Sequence, residues 1–88
     1  MRVQLKLYGS SKLLDKKEIL NVELPKNSKV KKLRNILNKL IYEKKLESDL
    51  KNLPNTVAFF SEKNEVVSDN YKLTNKELIS IIPPIGGG

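Results

Sequence analysis

The residues of this sequence that can take part in chemistry are gathered at its end, in Pro83-Pro84-Ile85-Gly86-Gly87-Gly88. The usual reactive groups are missing elsewhere. There is no cysteine, hence no thiol nucleophile and no disulfide framework. There is no histidine, hence no Ser/His or Cys/His arrangement and no imidazole to bind a metal, so no metal site is expected. What remains is the carboxylate of Gly88. Glycine has no Cβ, so Gly86, Gly87 and Gly88 can slide through a slot that excludes side chains and present that carboxylate bare. Pro83 and Pro84 fix φ and hold the residue before each of them extended, so the chain should leave the fold as a stiff stub. A linker joins two bodies, whereas this segment is expected to join one body to solvent. Three terminal glycines also suit a cloning scar, but the two prolines and the apolar run before them argue against it.

The elements that must hold this stub can be read in order. Val3, Leu5 and Leu7 alternate with polar residues as in a half-buried strand, ended by Gly9-Ser10-Ser11. Lys12 to Lys17 read as a polar turn around Leu13 and Leu14. Glu18 to Leu24 form a second strand with Leu20, Val22 and Leu24 on one face, making an antiparallel hairpin closed by Pro25. The period then changes. With Ser28 as N-cap and no capping box, Val30, Leu33, Ile36, Leu37, Leu40 and Ile41 form the apolar stripe of a helix ending near Glu43. Lys44 would put a charge on that stripe. Leu46, Leu50 and Leu53 suggest a further short helix, or an extension, before Pro54. Thr56 to Phe60 suit a strand covered on both faces, and Val66-Val67 a short edge strand. The polar crossing from Ser68 to Lys76 should tuck one apolar residue under the sheet, with Tyr71 and Leu73 as candidates. Leu78 to Ile82 form the last strand, too apolar for an exposed edge and therefore central. The order implies an α+β, β-grasp arrangement: a mixed sheet of four to five strands, one main helix on one face, first and last strands parallel and central. Residues 1–82 form the domain and residues 83–88 the tail.

At 88 residues the chain has length for one core. Its net charge of +7 raises nucleic acid as a partner. Only Arg2 and Arg34 are arginine, however, and the lysines are dispersed along the sequence, which favours an ordinary solvated surface. No apolar run is long enough to cross a membrane, and the strand-like start is no targeting segment, so a cytoplasmic protein with no membrane partner is expected.

The chain resembles the ubiquitin-like sulfur carriers, most of all the small subunits of molybdopterin synthase (MoaD). The resemblance runs from Val3-Gln4-Leu5-Lys6-Leu7-Tyr8-Gly9, through Val22-Glu23-Leu24-Pro25 and Val30-Lys31-Lys32-Leu33, to Leu78-Ile79-Ser80-Ile81-Ile82-Pro83-Pro84-Ile85-Gly86-Gly87-Gly88. That family ends in a hydrophobic strand, Pro-Pro, an aliphatic residue, a small residue and Gly-Gly. Some features depart from it. Asn75-Lys76-Glu77-Leu78 replaces an acidic turn, with Asn75 expected to take the left-handed position, and a negative surface is lost. Phe59-Phe60 stand where the family often has a small residue and asparagine. Lys45 to Asn55 is longer than in the shortest, thiamine-pathway carriers (ThiS), which also commonly lack Pro-Pro.

The resemblance implies a chemistry that the chain cannot perform alone. A ubiquitin-activating-like (MoeB-like) enzyme, using ATP and Mg, adenylates the Gly88 carboxylate, and sulfur from a persulfide displaces AMP to leave a thiocarboxylate. The tail then enters the large (MoaE-like) subunit of molybdopterin synthase and gives its sulfur to a pyranopterin precursor in molybdenum cofactor biosynthesis. No cofactor is bound by the chain itself. Gly87 and Gly88 reach the nucleotide site, Pro83 and Pro84 lower the ordering entropy on docking, and Ile85 anchors at the mouth of the slot. Phe59 and Phe60 point to opposite faces of one strand. An exposed aromatic beside the tail would mark the partner surface, unless both rings are covered. The alternatives are a ubiquitin-like protein modifier, which uses an activated Gly88 to acylate lysines, and a sulfur carrier of another pathway, such as thiamine synthesis or tRNA thiolation.

Overall fold

The computed structural model describes residues 1–84, the Asp49 side chain apart. The alternation at the start builds β1 (Arg2–Leu7), with Val3, Leu5 and Leu7 all buried. A 3-10 turn, Gly9–Leu14, follows, burying Leu14 and leaving Leu13 outside. β2 (Ile19–Glu23) returns antiparallel to β1, pairing Val3 with Val22 and Leu5 with Leu20.

Helix α1 (Val30–Glu43) buries Val30, Leu33, Leu37 and Ile41 and half-buries Ile36 and Leu40. It ends where Lys44 would bring its charge onto the apolar stripe. Lys45 then turns left-handed at φ +57°, and the Leu46 amide donates back to the Ile41 carbonyl at 2.9 Å, closing a Schellman motif. The start of α1 departs from expectation. Ser28 is not the cap; its hydroxyl donates to the Pro25 carbonyl at 2.6 Å. The position falls to Lys29, which makes no side-chain capping bond. The amides of Val30 and Lys31 donate instead to the backbone carbonyls of Tyr71 and Asp69, both at 3.0 Å. A distant segment thus does what a local hydroxyl was expected to do.

Between α1 and the next strand lie two short helices, α2 (Glu47–Leu50) and α3 (Leu53–Thr56). Pro54 does not stop the helical stretch: it sits in the first turn of α3, where an amide has no intrahelical partner to lose. The strand expected from Thr56 accordingly begins only at Ala58. β3 (Ala58–Phe60) pairs with β4 (Val66–Val67) and with β5 (Leu78–Ile82). Arg34 fastens this region to the helix. Its Nε donates to Asp69 at 2.8 Å, and its Nη1 donates to the carbonyls of Pro54 and Val57 at 2.9 and 3.0 Å. The guanidinium lies 4.8 Å from the centre of the Phe59 ring.

The crossing before β5 buries Leu73, whose amide donates to the Ser28 carbonyl at 2.9 Å. Its final turn takes its left-handed residue at Lys76, φ +66°, not at Asn75. Asn75 keeps ordinary backbone geometry because its side-chain oxygen accepts the Arg2 amide at 2.9 Å.

The five strands lie in the order β2-β1-β5-β3-β4, with β1 and β5 parallel in the interior of the sheet and every other pair antiparallel. Val3, Leu5, Leu7, Phe59, Ile79 and Ile81 share one buried core with the apolar stripe of α1. This is the β-grasp fold, with one main helix covering one face of a mixed sheet.

Candidate functional site

The tail is launched by β5, an interior strand held on both sides. Ile81 lies in register with Leu7 of β1 and Phe59 of β3, and Ile82 with Ala58. Past Ile82 the first proline is half-buried and the second exposed. Pro83 rests on Gly9: a Cβ built on Gly9 would stand 3.7 Å from Pro83 Cγ and 3.8 Å from Cδ. Gly9 adopts φ +54°, a left-handed conformation that glycine takes at little cost. The turn that carries it is fixed by Ser11, which is fully buried. The Ser11 hydroxyl accepts the Tyr8 amide at 2.9 Å and donates to the Tyr8 carbonyl at 2.5 Å. Sequence reading treated Gly9-Ser10-Ser11 only as a strand stop. A buried serine and a left-handed glycine are both signatures of a specific turn, but their contact with Pro83 cannot be read from spacing. Ile85, Gly86, Gly87 and Gly88, the other tail residues singled out, lie outside the described residues.

Strand register distributes the side chains around this exit. On the face away from α1, Val66, Phe60, Ser80, Lys6 and Ile19 form one row across all five strands. Leu78 and Ile82 flank that row on β5. Phe60, Leu78 and Ile82 are half-buried, Val66 is 67% exposed and Ile19 40% exposed. Tyr8, 37% exposed, completes the surface, with the Lys6 ammonium 5.4 Å from its ring centre. The expectation of a third strand covered on both faces is therefore overturned. α1 covers only one face, and among the described residues nothing covers the other. Phe59 is on the covered side and fully enclosed, so only Phe60 of the pair offers surface to a partner. Val66, Leu78 and Ile82 share this surface, although the sequence pattern does not mark them. Leu78–Ile82 reads in sequence as a continuous apolar run, whereas register sends its odd and even residues to opposite faces.

Beside this patch lies a cleft of about 600 Å³ lined by Glu62, Glu65, Val66, Tyr71 and Glu77 among others. The Tyr71 hydroxyl donates to Glu77 Oε2 at 2.5 Å, and Glu62 Oε1 accepts the Leu78 amide at 2.9 Å. The hydrogen bond to Glu77 raises the Tyr71 pKa above its ordinary value, reinforced by burial and by the charges of Glu77, Glu62 and Glu65. Some negative surface thus persists here, built largely from residues outside the turn where its loss was expected. Among the described residues no cluster of acidic side chains has the geometry to hold a metal ion, and no helix is long and apolar enough to cross a membrane. The described residues include no nucleophile–base pair. Among the described residues, the arrangement sets Pro83 and Pro84 at the edge of a sheet face that carries Phe60, Val66, Leu78 and Ile82.

No family model and no curated protein matches the sequence. Solved structures do. A putative molybdopterin converting factor subunit 1 from Pyrococcus furiosus superimposes with a TM-score of 0.74 at 17% identity, over 96% of this chain and 98% of that one. Small archaeal modifier protein 1 of H. volcanii gives 0.67 at 16% identity, over 96% and 98% of the two chains. Subunit 1 or 2 in the complex of the two molybdopterin-converting factor subunits from Helicobacter pylori gives 0.64 at 24% identity, with both chains covered in full. At these identities the likeness establishes the fold.

Proposed function

We propose that this chain is a ubiquitin-fold sulfur carrier acting as the small subunit of a molybdopterin synthase. The observation that carries the reading is the exit of the chain from β5. An interior strand delivers Pro83 against Gly9 and Pro84 into solvent, beside the open sheet face that carries Phe60, Val66, Leu78 and Ile82. The sequence that follows, Ile85-Gly86-Gly87-Gly88, is suited to a narrow slot. Likeness in fold to two molybdopterin converting factor structures supports the same reading.

In this reading an adenylating partner joins the Gly88 carboxylate to AMP, with pyrophosphate leaving from ATP. The outer sulfur of a protein persulfide then attacks the acyl carbon and expels AMP. A second thiol cleaves the resulting S–S bond, leaving a thiocarboxylate on Gly88 and a disulfide on the donor side. The chain's own residues supply position only. Gly87 and Gly88 leave the carbonyl open to attack, and the prolines limit the conformations that docking must freeze. Phe60, Val66, Leu78 and Ile82 supply apolar contact for the adenylating enzyme and for the synthase large subunit in turn.

The test is intact mass after incubation with the adenylating enzyme, ATP and a sulfur donor. Replacement of one oxygen by sulfur at Gly88 is expected, and a Gly88→Ala variant should fold normally and load poorly. Normal loading of Gly88→Ala, or a mature protein extended beyond Gly88, would overturn the reading. The fold likeness to a small archaeal modifier protein favours a second reading, in which activated Gly88 acylates lysines. Isopeptide-linked Gly88 in digests of the native host would select it.

A further inference from the structure

Lys72, from the crossing before β5, joins Lys26, Lys29, Lys31 and Lys32 around two clefts, while the other lysines line neither. The start of β1, the start of β5, the turn into α1 and the crossing before β5 all meet at the end of the fold opposite the tail. Both clefts open there. One, of about 530 Å³, is lined by Met1, Lys26, Asn27, Lys72, Leu73, Thr74 and Asn75. The other, of about 370 Å³, is lined by Lys29, Lys31, Lys32 and Asn27 among others, so the two share Asn27 as a wall. Neither contains an acidic residue. An isolated antiparallel bridge sets Lys29 opposite Lys72, a like-charge placement that works against the fold rather than for it.

Lys26, Lys29, Lys31, Lys32 and Lys72 are all exposed, and among the described residues none makes an ion pair. The nearby acids are already engaged. Glu23 is bound by Arg2, Asp69 by Arg34, and Glu77 by Tyr71 and Thr74.

We propose that this cationic end is a sequence-independent binding surface for the phosphodiester backbone of a nucleic acid. Two other polyanions fit the surface less well. Protein–protein interfaces in general favour aromatic and arginine anchors and are depleted in lysine, and neither cleft contains an aromatic or an arginine. An anionic membrane would gain from exposed apolar side chains to insert, but the apolar residues of the first cleft are the half-buried Met1 and the buried Leu73, and the large exposed ones, Tyr8, Leu13, Ile19, Tyr42 and Val66, line neither cleft. Lysines without base-reading partners suit phosphate contact, which carries affinity but little specificity. The five residues of β5 hold this end roughly 17 Å from the tail exit, so both ends can be occupied together.

The test is fluorescence anisotropy of the full chain with a labelled, mixed-sequence single-stranded RNA, across a salt series. Binding is expected at about 50 mM salt, with log affinity falling against log salt at a slope of roughly −3. The variant K26A/K29A/K72A should bind at least tenfold more weakly and lower that slope by about 2. The matched variant K12A/K16A/K17A, at the tail end of the fold, should bind within about threefold of the parent. Thermal melts confirm that both variants are folded. No binding at low salt overturns the proposal, as does equal weakening by the two triple variants, which would reduce the effect to net charge. Equally tight, lysine-dependent binding of poly-glutamate overturns it in favour of an acidic protein partner.

Discussion

Gly9 and Pro83, far apart in sequence, meet at the point where the chain leaves the sheet: the proline ring occupies the space over a glycine whose φ is +54°. Two different demands fall on Gly9. Its backbone needs a conformation that a side chain makes costly, and its open face receives the first residue of the tail. The contact itself leaves ordinary van der Waals room for a methyl group, so the backbone demand is the larger of the two.

Gly9→Ala should therefore cost about 1–2 kcal/mol in urea denaturation while keeping the fold, and Gly9→Asn should cost less, since asparagine tolerates the left-handed region. A neutral Gly9→Ala would show that the turn is not under this constraint.

Phe59 and Phe60 should separate cleanly. Phe59→Ala removes a fully enclosed ring and should cost roughly 3–5 kcal/mol, enough to unfold much of a domain this small. Phe60→Ala should change stability by less than about 1 kcal/mol but, on the proposed function, weaken binding to a synthase large subunit, measured by calorimetry, at least tenfold. Unchanged binding would remove the outer sheet face from the docking surface.

Arg34→Lys keeps the charge and loses the fork. One guanidinium serves Asp69, two backbone carbonyls and the Phe59 ring at once, and an ammonium cannot reproduce that geometry. A loss of about 1–3 kcal/mol is expected in chemical denaturation, and a loss below about 0.5 kcal/mol would show that the fork contributes little.

Tyr71 makes stability depend on alkaline pH. Its pKa in the folded state is raised, chiefly by the hydrogen bond to Glu77. The protonated phenol is therefore favoured by folding. Its contribution is fully present below the unfolded value near 10 and is lost as pH rises through the folded value. Tyr71→Phe should accordingly be less stable than the parent at neutral pH, and the gap should shrink above about pH 10. A gap that stays constant with pH would exclude this linkage.

Lys45 closes the Schellman motif of α1 with a left-handed backbone, φ +57°, where glycine is the usual choice. Lys45→Gly should gain about 0.5–1 kcal/mol in thermal unfolding, and any loss would mean that the lysine side chain contributes to the turn.

The pattern of side chains along the sequence was sufficient for β1, for the end of α1 at Glu43, for the last strand and for the parallel pairing of first and last strands. β1 and α1 follow from residues that recur every second or every third and fourth place, the last strand from an unbroken apolar run, and the parallel pairing from the order of elements that the β-grasp arrangement demands. Tertiary structure decided the rest, because the deciding partner lies far away in the chain. Ser28 was displaced as helix cap by the carbonyls of Asp69 and Tyr71. Asn75 lost the left-handed position to Lys76 once its side chain had taken the Arg2 amide. Phe60 faces outward and Phe59 inward because one helix covers one face of the sheet. Lys72 joins Lys26, Lys29, Lys31 and Lys32 at one end because the crossing loop pairs there with the turn into α1. Composition could announce an unusual charge, and only the folded chain could say where it stands.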